Sequence, residues 1–403
     1  MVDSRLILPG KVQMTPAVMN ARLRRSGIPS RLFRKADERM SGSTYTARYL
    51  ISVRGLEHCQ VDMLMAGSGW LKRPAVDHED GLQTEVGLTQ RLTKAAVRTL
   101  YALGQEEGEV VIALLPNRRY AVDEVRFHQD RSQRTDREAN GDHAALILLG
   151  MDPEFVLVDS RGEITEASQY LERHGKAGCD AVREGDFVTY PLAELRPDPK
   201  SDPEALLHEL RKTMIMAAER ITDRSLAWKA GSMPAGGLPL GGHLHFSGVT
   251  LNLDILQVLD NYLALPLAAL EDPSGRKRRP KYGSLGDYRR QPHGGFEYRT
   301  PPSFLVSPSI TRAVVHMAYL IAREFRRLMS RPLSTERVHE AYYEGTKSIL
   351  IQSAEALHQD YRRLPGYEYH ASSIERLFRM ISEGQTWDES RDIRRLWHIP
   401  VLP

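Results

Sequence analysis

The stretch Gly241-Gly-His-Leu-His-Phe-Ser-Gly248 sets two imidazoles one residue apart inside a glycine frame. On a β-strand, positions i and i+2 point to the same face, so His243 and His245 project together while Leu244 and Phe246 turn the other way. The same shape recurs three times: Asp152 and Glu154 in GMDPEFVLVD (150–159), Glu194 and Arg196 in AELRPDP (193–199), and Glu297 and Arg299 in GFEYRTPPS (295–303). Their neighbours Phe155, Leu195 and Tyr298 are apolar and suit a helix-backed core. Pro153 is the awkward member, since it offers a sheet no N–H and fits an edge strand or a bulge.

Charged and imidazole groups on one face of a sheet are costly unless they bind something or each other. Acids and histidines beside arginines point to a metal-phosphate site, because carboxylates and imidazole hold divalent cations and guanidinium forks hold phosphate oxygens. Taken singly, each pair has a plainer explanation: an acidic pair suits a solvated face, and Glu-x-Arg suits a structural ion pair. Four pairs within one region carry the argument. His-x-His is also the zinc signature of amidohydrolase-type barrels, although there the pair comes early, with a later His-plus-Asp series that this chain lacks.

Two stretches flank the histidines. Residues 231–242 (GSMPAGGLPLGG) form a glycine-rich loop that lets a nucleotide or substrate backbone approach closely, or simply a turn-rich connection; it contains no Walker pattern. Residues 276–299 (RKRRPKYGSLGDYRRQPHGGFEYR) are basic and aromatic, with Arg278, Arg279, Tyr282, Tyr288, Arg289 and Arg290. Beside an acidic metal site, such a segment is expected to gather phosphate or a substrate carboxylate.

The rest of the chain reads as two parts. Residues 128–143 (HQDRSQRTDREANGDH) are polar without apolar periodicity, as in a linker. Residues 1–127 carry a helix over Thr15–Arg25, a strand over Tyr45–Val53, a helix over Leu88–Leu103 and strands over Glu109–Leu115 and Tyr120–Phe127. This is a small α/β domain without a catalytic constellation, suited to docking, oligomerisation or substrate selection. Residues 144–403 alternate strands with helices. One helix opens at Ser201-Asp202-Pro203-Glu204 with an N-cap oxygen, a first-turn proline and an acid facing the dipole. Another begins at Ser307-Pro308, and the apolar stretch Ile255–Leu270 should be bent or broken at Pro266.

The 403 residues are 41% hydrophobic, and 55 basic against 52 acidic residues leave a net charge of +3. That balance argues against nucleic acid or an acidic membrane as partner. Cys59 and Cys179 form neither a metal-ligand spacing nor a disulfide framework. The amino terminus has no h-region, and no stretch approaches the length of a membrane span. A cytoplasmic location is expected.

As a set, GMDPEFVLVD, GCD followed by ELRP, GGHLHF, and YGSLGDYR followed by GFEYRTPPS resemble the amidoligases. These are a carboxylate-amine ligase family of the glutamine synthetase and glutamate-cysteine ligase superfamily, and the resemblance covers about Leu146–Leu328. NARLRRSGIPS (20–30) is also similar to amino-terminal extensions in such proteins. The resemblance implies an α+β fold, a curved, mainly antiparallel sheet backed by helices, whose concave face holds ATP and two or three Mg²⁺ or Mn²⁺ ions. It makes Asp152, Glu154, Glu194, His243 and Glu297 metal-side residues, with Asp180 or Asp186 as a further ligand. It makes Arg299 the arginine on the transferred phosphate, puts Arg196 near substrate or phosphate, His245 near metal or nucleotide, and Arg289 or Arg290 in the phosphate region. The implied reaction joins a small-molecule or peptide carboxylate to an amine through an acyl phosphate, in a chain compatible with a homo-oligomer. The competing expectations are a zinc-dependent hydrolase and a catalytically inactive ligase-like binding protein.

Overall fold

The structure, a computed structural model, describes residues 14–32, 46–65, 69–72, 83–116, 119–127, 146–185, 187–292 and 294–399; the 128–143 stretch and Asp186 lie outside them. The chain divides into two compact units, residues 1–143 and 144–403.

In the first unit, strands β1 (Ala47–Arg54), β2 (Glu57–Met65), β3 (Gly69–Lys72), β4 (Gly108–Leu114) and β5 (Tyr120–Arg126) form a sheet in the order β3-β2-β1-β4-β5, with antiparallel neighbours. Ile51, Val53, Val110, Ile112 and Val122 share one core with Met19 and Leu23 of α1 (Pro16–Arg25) and Leu92, Ala96 and Leu100 of α2 (Gln83–Ala102). The apolar stripe of α2 thus covers one face of the sheet, as amphipathic spacing demands.

The second unit is α+β. Its eight-stranded sheet follows the path β12 (Tyr288–Arg290), β13 (Phe296–Tyr298), β11 (Gly242–Ser247), β6 (Leu148–Val158), β9 (Phe187–Leu195) and β8 (Ala177–Glu184). Short strands β7 (Ile164–Thr165) and β10 (Ala227–Lys229) pair with the far end of β6, and all these pairings are antiparallel. The architecture expected of the chain, a mainly antiparallel sheet with helices and a smaller amino-terminal sheet unit, is borne out. The back of the sheet is apolar: Phe155 stacks on Trp228 at 4.6 Å and Phe246 on Phe296 at 5.1 Å between ring centroids. Helix α3 (Pro203–Arg220) packs on β8 and β9 and against the later helix α6 (Pro308–Glu324). Its N-cap Asp202 accepts from Ala205 N at 2.8 Å, as the Ser-Asp-Pro-Glu start predicts.

Two prolines behave otherwise than expected. Pro153 lies on the central strand β6, opposite Gly242. Glu154 N donates to Gly241 O on the β11 side, so by alternation the nitrogen of Pro153 faces the β9 edge. Pairing with β9 reaches only to Glu154, and the missing N–H therefore removes no ladder bond. Pro266 does not break its helix: α4 (Leu253–Leu259) continues through a π turn (Asp260–Ala264) into α5 (Leu265–Leu270). The proline has no N–H for the Tyr262 carbonyl four residues back, and the Tyr361 hydroxyl donates to it instead at 2.9 Å. Contrary to the expectation from sequence, Leu253–Leu270 is by length and composition apolar enough to cross a membrane, and 83% of it is buried inside the unit.

Candidate active site

Sheet register collects the polar pairs onto one face. Asp152 on β6 stands opposite His243 on β11, and His245 is flanked by Gly150 of β6 on one side and Glu297 of β13 on the other. Beyond Glu297 comes Arg289 of β12; on the other flank, Glu154 pairs with Glu194, which pairs with Gly178 of β8. Period-two alternation puts all of these side chains on the same face, with Arg299 one pleat past Glu297. Arg290 is registered with the core residue Phe296, so of the two neighbouring arginines Arg289 is the one on this face.

Asp152 is the hub. Its Oδ2 lies 2.9 Å from His245 Nε2, and its Oδ1 lies 3.1 Å from His243 Nδ1. Glu297, fully buried, accepts from Arg299 Nη1 at 2.7 Å, from Arg289 Nε at 2.6 Å and from Gln291 Nε2 at 3.1 Å. Glu154 Oε2 accepts from Gly241 N at 2.6 Å. Glu194 is ion-paired with Arg196, whose Nη1 also donates to the carbonyls of Arg173 at 3.2 Å and Gly175 at 3.1 Å. Arg196 therefore holds both an acid of the face and the loop preceding β8. The glycine before β11 is required by close approach: a Cβ on Gly241 would collide with the His243 ring.

The acids differ in proton affinity. Burial opposes ionisation of Asp152, but His243 and His245 outweigh it and hold its carboxyl well below the usual carboxylate range. Glu154 is pushed up by burial, offset in part by His243 and the Gly241 N–H. Burial and then the charge of Asp152 push Glu194 up to about 9 against the pull of Arg196. Burial lowers His243, but Asp152 outweighs it and raises its proton affinity. Clustered acids that resist ionisation become fully charged when a cation joins them.

The donor set fits divalent cations. Asp152 Oδ1 and His243 Nδ1 are buried without a well-directed hydrogen bond, although only 3.1 Å separates them; neighbouring ligands of one octahedral ion lie about 3 Å apart. Among the described residues, three groups bring ligand atoms within 4.8 Å of one another: Asp152, His245 and Glu297; Asp152, Glu194 and His243; Glu154, Asp180 and Glu194. The groups share Asp152 and Glu194, and each has at most one histidine. Asp180, read from sequence as one of two alternatives, is thus brought to the acids.

Arg278 and Arg279 do not serve this face. Arg278 donates to the Thr300 and Pro301 carbonyls at 2.9 and 3.0 Å, and Arg279 is ion-paired with Glu271; both are buried. Arg278 anchors the segment after Arg299 and Arg279 the end of α5 at Glu271, in contrast to the expected phosphate-gathering role. Sequence reading missed Ser303, whose hydroxyl donates to Glu154 O at 2.5 Å, and Gln291. The serine closes the GFEYRTPPS motif, the one signal available; the contact itself depends on folding.

Among solved structures, similarity is found to a bifunctional glutathione synthetase from Pasteurella multocida (12% identity, TM-score 0.37, covering 62% of this chain and 52% of that one). The chain thus spans about half the length of that protein. A novel glutamine synthase homolog (15%, TM-score 0.33, covering 63% and 71%) and Plasmodium falciparum glutamine synthetase (9%, TM-score 0.35, covering 88% and 97%) are also similar. No curated protein matches the sequence. Residues 149–399, more than half of the chain and all of the polar face, match the phage phiEco32-like COOH.NH2 ligase-type 2 family, to which the chain belongs.

Proposed function

We propose that this chain is a cytoplasmic ATP-dependent ligase joining a carboxylate and an amine, each a small molecule or peptide, through an acyl phosphate. The observation that carries the reading is the single face on which Asp152 and Glu194 link three groups of metal-ligand atoms beside the arginines on Glu297. The carboxylates suit Mg²⁺, and the mixed groups with imidazole also suit Mn²⁺. Bound there, the cation supplies neutralisation of phosphoryl charge.

The chain's own residues supply the rest. Arg299 and Arg289 bring fork-shaped donors to the transferred phosphoryl group. A largely apolar cavity of about 210 Å³, lined by Leu148, Gly150, Pro199, His245 and Ser247, suits the base end of the nucleotide beside Asp152. The substrate carboxylate oxygen bonds to the γ-phosphorus as the bond to ADP breaks. The amine then bonds to the carbonyl carbon, loses a proton and expels phosphate. The face must hold charge and exclude water; it needs no side-chain nucleophile.

The test is incubation with ATP, Mg²⁺ and pools of amines and carboxylates, reading phosphate release and mass gain by condensation. Loss of both signals in Glu154→Ala and Arg299→Ala is the expected result; full activity in these variants would remove the site assignment. Tight zinc with hydrolysis and no ATP binding would favour a hydrolase, and absence of saturable ATP-analogue binding would favour an inactive binding protein.

A further inference from the structure

Glu389 lies in the segment after the last long helix, far in sequence from every motif above, and is buried with 6% exposure. Its carboxylate accepts from two consecutive backbone N–H groups, Ser232 at 2.5 Å and Met233 at 3.0 Å, and from Trp387 Nε1 at 2.8 Å. Those amides begin the glycine-rich loop. Gly231, at φ +132°, leaves no room for a side chain, because a Cβ there would collide with the Glu389 carboxyl. The contact is therefore built from both sides, and burying an acid in this place is tolerable because three donors meet it.

From there a continuous set of bonds runs to the site. Leu240 N donates to Ser232 O at 3.0 Å, closing the loop on itself. The next residue, Gly241, donates to Glu154 Oε2 at 2.6 Å and lies against the His243 ring. Ser303 N donates to Gly231 O at 3.2 Å, while its hydroxyl donates to Glu154 O at 2.5 Å. Both the loop and the segment after Arg299 are thus tied at the point that Glu389 fixes, and both end on Glu154.

We infer that Glu389 is a positioning residue: it fixes the start of the 231–242 loop so that Gly241 holds Glu154 and His243 in a cation-binding arrangement. The inference rests on the ligase reading for its purpose, but the loop contact is testable independently. Backbone amides respond to loss of such an anchor by opening locally, and residues that orient metal ligands typically tune affinity 10- to 100-fold.

The experiment compares full-length wild type with Glu389→Gln and Glu389→Ala, by hydrogen-deuterium exchange of the peptide spanning 231–243 and by Mn²⁺ titration. Gln keeps one acceptor oxygen and Ala none, so exchange should rise in the order wild type, Gln, Ala. Mn²⁺ affinity should fall about tenfold or more in Ala and less in Gln. Gly241→Ala, which leaves the Glu389 contact intact, should weaken Mn²⁺ binding without speeding exchange at Ser232 and Met233. Unchanged exchange in the loop of Glu389→Ala, or unchanged Mn²⁺ affinity there, overturns the inference. Wild type that binds no Mn²⁺ removes the ligase reading and the purpose assigned to Glu389, whereas the exchange result still decides whether the acid anchors the loop. Should Glu389→Ala fail to fold, Glu389→Gln gives the same comparison through its single lost contact.

Discussion

Replacing Tyr361 with phenylalanine removes one oxygen and leaves the ring where it is, edge-on to Tyr262 at 5.6 Å between centroids. The lost hydroxyl is the donor to the Tyr262 carbonyl at 2.9 Å, deep in the core, with Tyr361 fully buried. A buried carbonyl deprived of its donor costs about 1–3 kcal/mol, and no cavity larger than the oxygen is created. Taking about 2 kcal/mol, and about 2–4 °C per kcal/mol for a unit of this size, Tyr361→Phe should melt about 4–8 °C below wild type. Pro266→Ala restores an N–H to the helix at the position four residues on. In that background the tyrosine hydroxyl is partly redundant, so the penalty of Tyr361→Phe should shrink by at least about 1 kcal/mol. Thermal or urea unfolding of the four proteins of this cycle measures it. A Tyr361→Phe protein as stable as wild type, or an equal penalty in both backgrounds, refutes the account of the π turn. The turn also matters to the site, since its first residue, Asp260, accepts from Tyr298 Oη at 2.7 Å and Gly286 N at 3.0 Å, and Tyr298 separates Glu297 from Arg299.

Three further outcomes are expected. Mn²⁺ at a hundredfold excess over its dissociation constant should stabilise wild type by about 2.7 kcal/mol in thermal unfolding, and Asp152→Asn, which disturbs two of the three ligand groups, should show little of that shift. Arg299→Ala should lower ligation turnover about a thousandfold, on the scale of arginines that hold transferred phosphate, measured as phosphate release at saturating ATP; a loss confined to KM would mean that Arg299 only binds. Burial, then neighbouring His316 and Arg323, push His370 down to about 4 from an ordinary 6.5. Above pH 6.5 it is neutral in both states, but as pH falls toward 4 the unfolded chain takes up a proton that the native one refuses, so stability drops by about 1.4 kcal/mol per unit. His370→Gln should flatten that part of the stability curve, and an unaltered slope would show that other groups set it.

Much of the polar face was legible because strand alternation is a local property: His243 and His245, or Asp152 and Glu154, must share a side whatever the rest of the chain does. Which strands adjoin is not local. Nothing near Asp152 in sequence says that His243 will stand opposite it, or that Arg289 and not Arg290 will reach Glu297. Arg278 and Arg279 were misread for a related reason. Charged residues read as exposed because burial is costly without partners, and their partners, Glu271 and the carbonyls of Thr300 and Pro301, meet them only in the folded unit. Pro153 and Pro266 signal a missing donor correctly; the signal cannot tell where strand pairing stops or that a tyrosine from a distant helix fills the gap.

The register that assembles the face also governs when it can exist during folding. Glu154, Asp180 and Glu194 lie within the contiguous segment that runs from β6 to β9, whereas Asp152, His243 and Glu297 come from three strands whose pairings join distant parts of the chain. Contacts of that kind form slowly because the intervening loops must close first. Cation affinity should therefore arrive in refolding in two steps, a weaker one with the β6–β9 and β8–β9 pairings and a late one with docking of β11 and β13, and a chain paused between them would carry only the Glu154, Asp180 and Glu194 group.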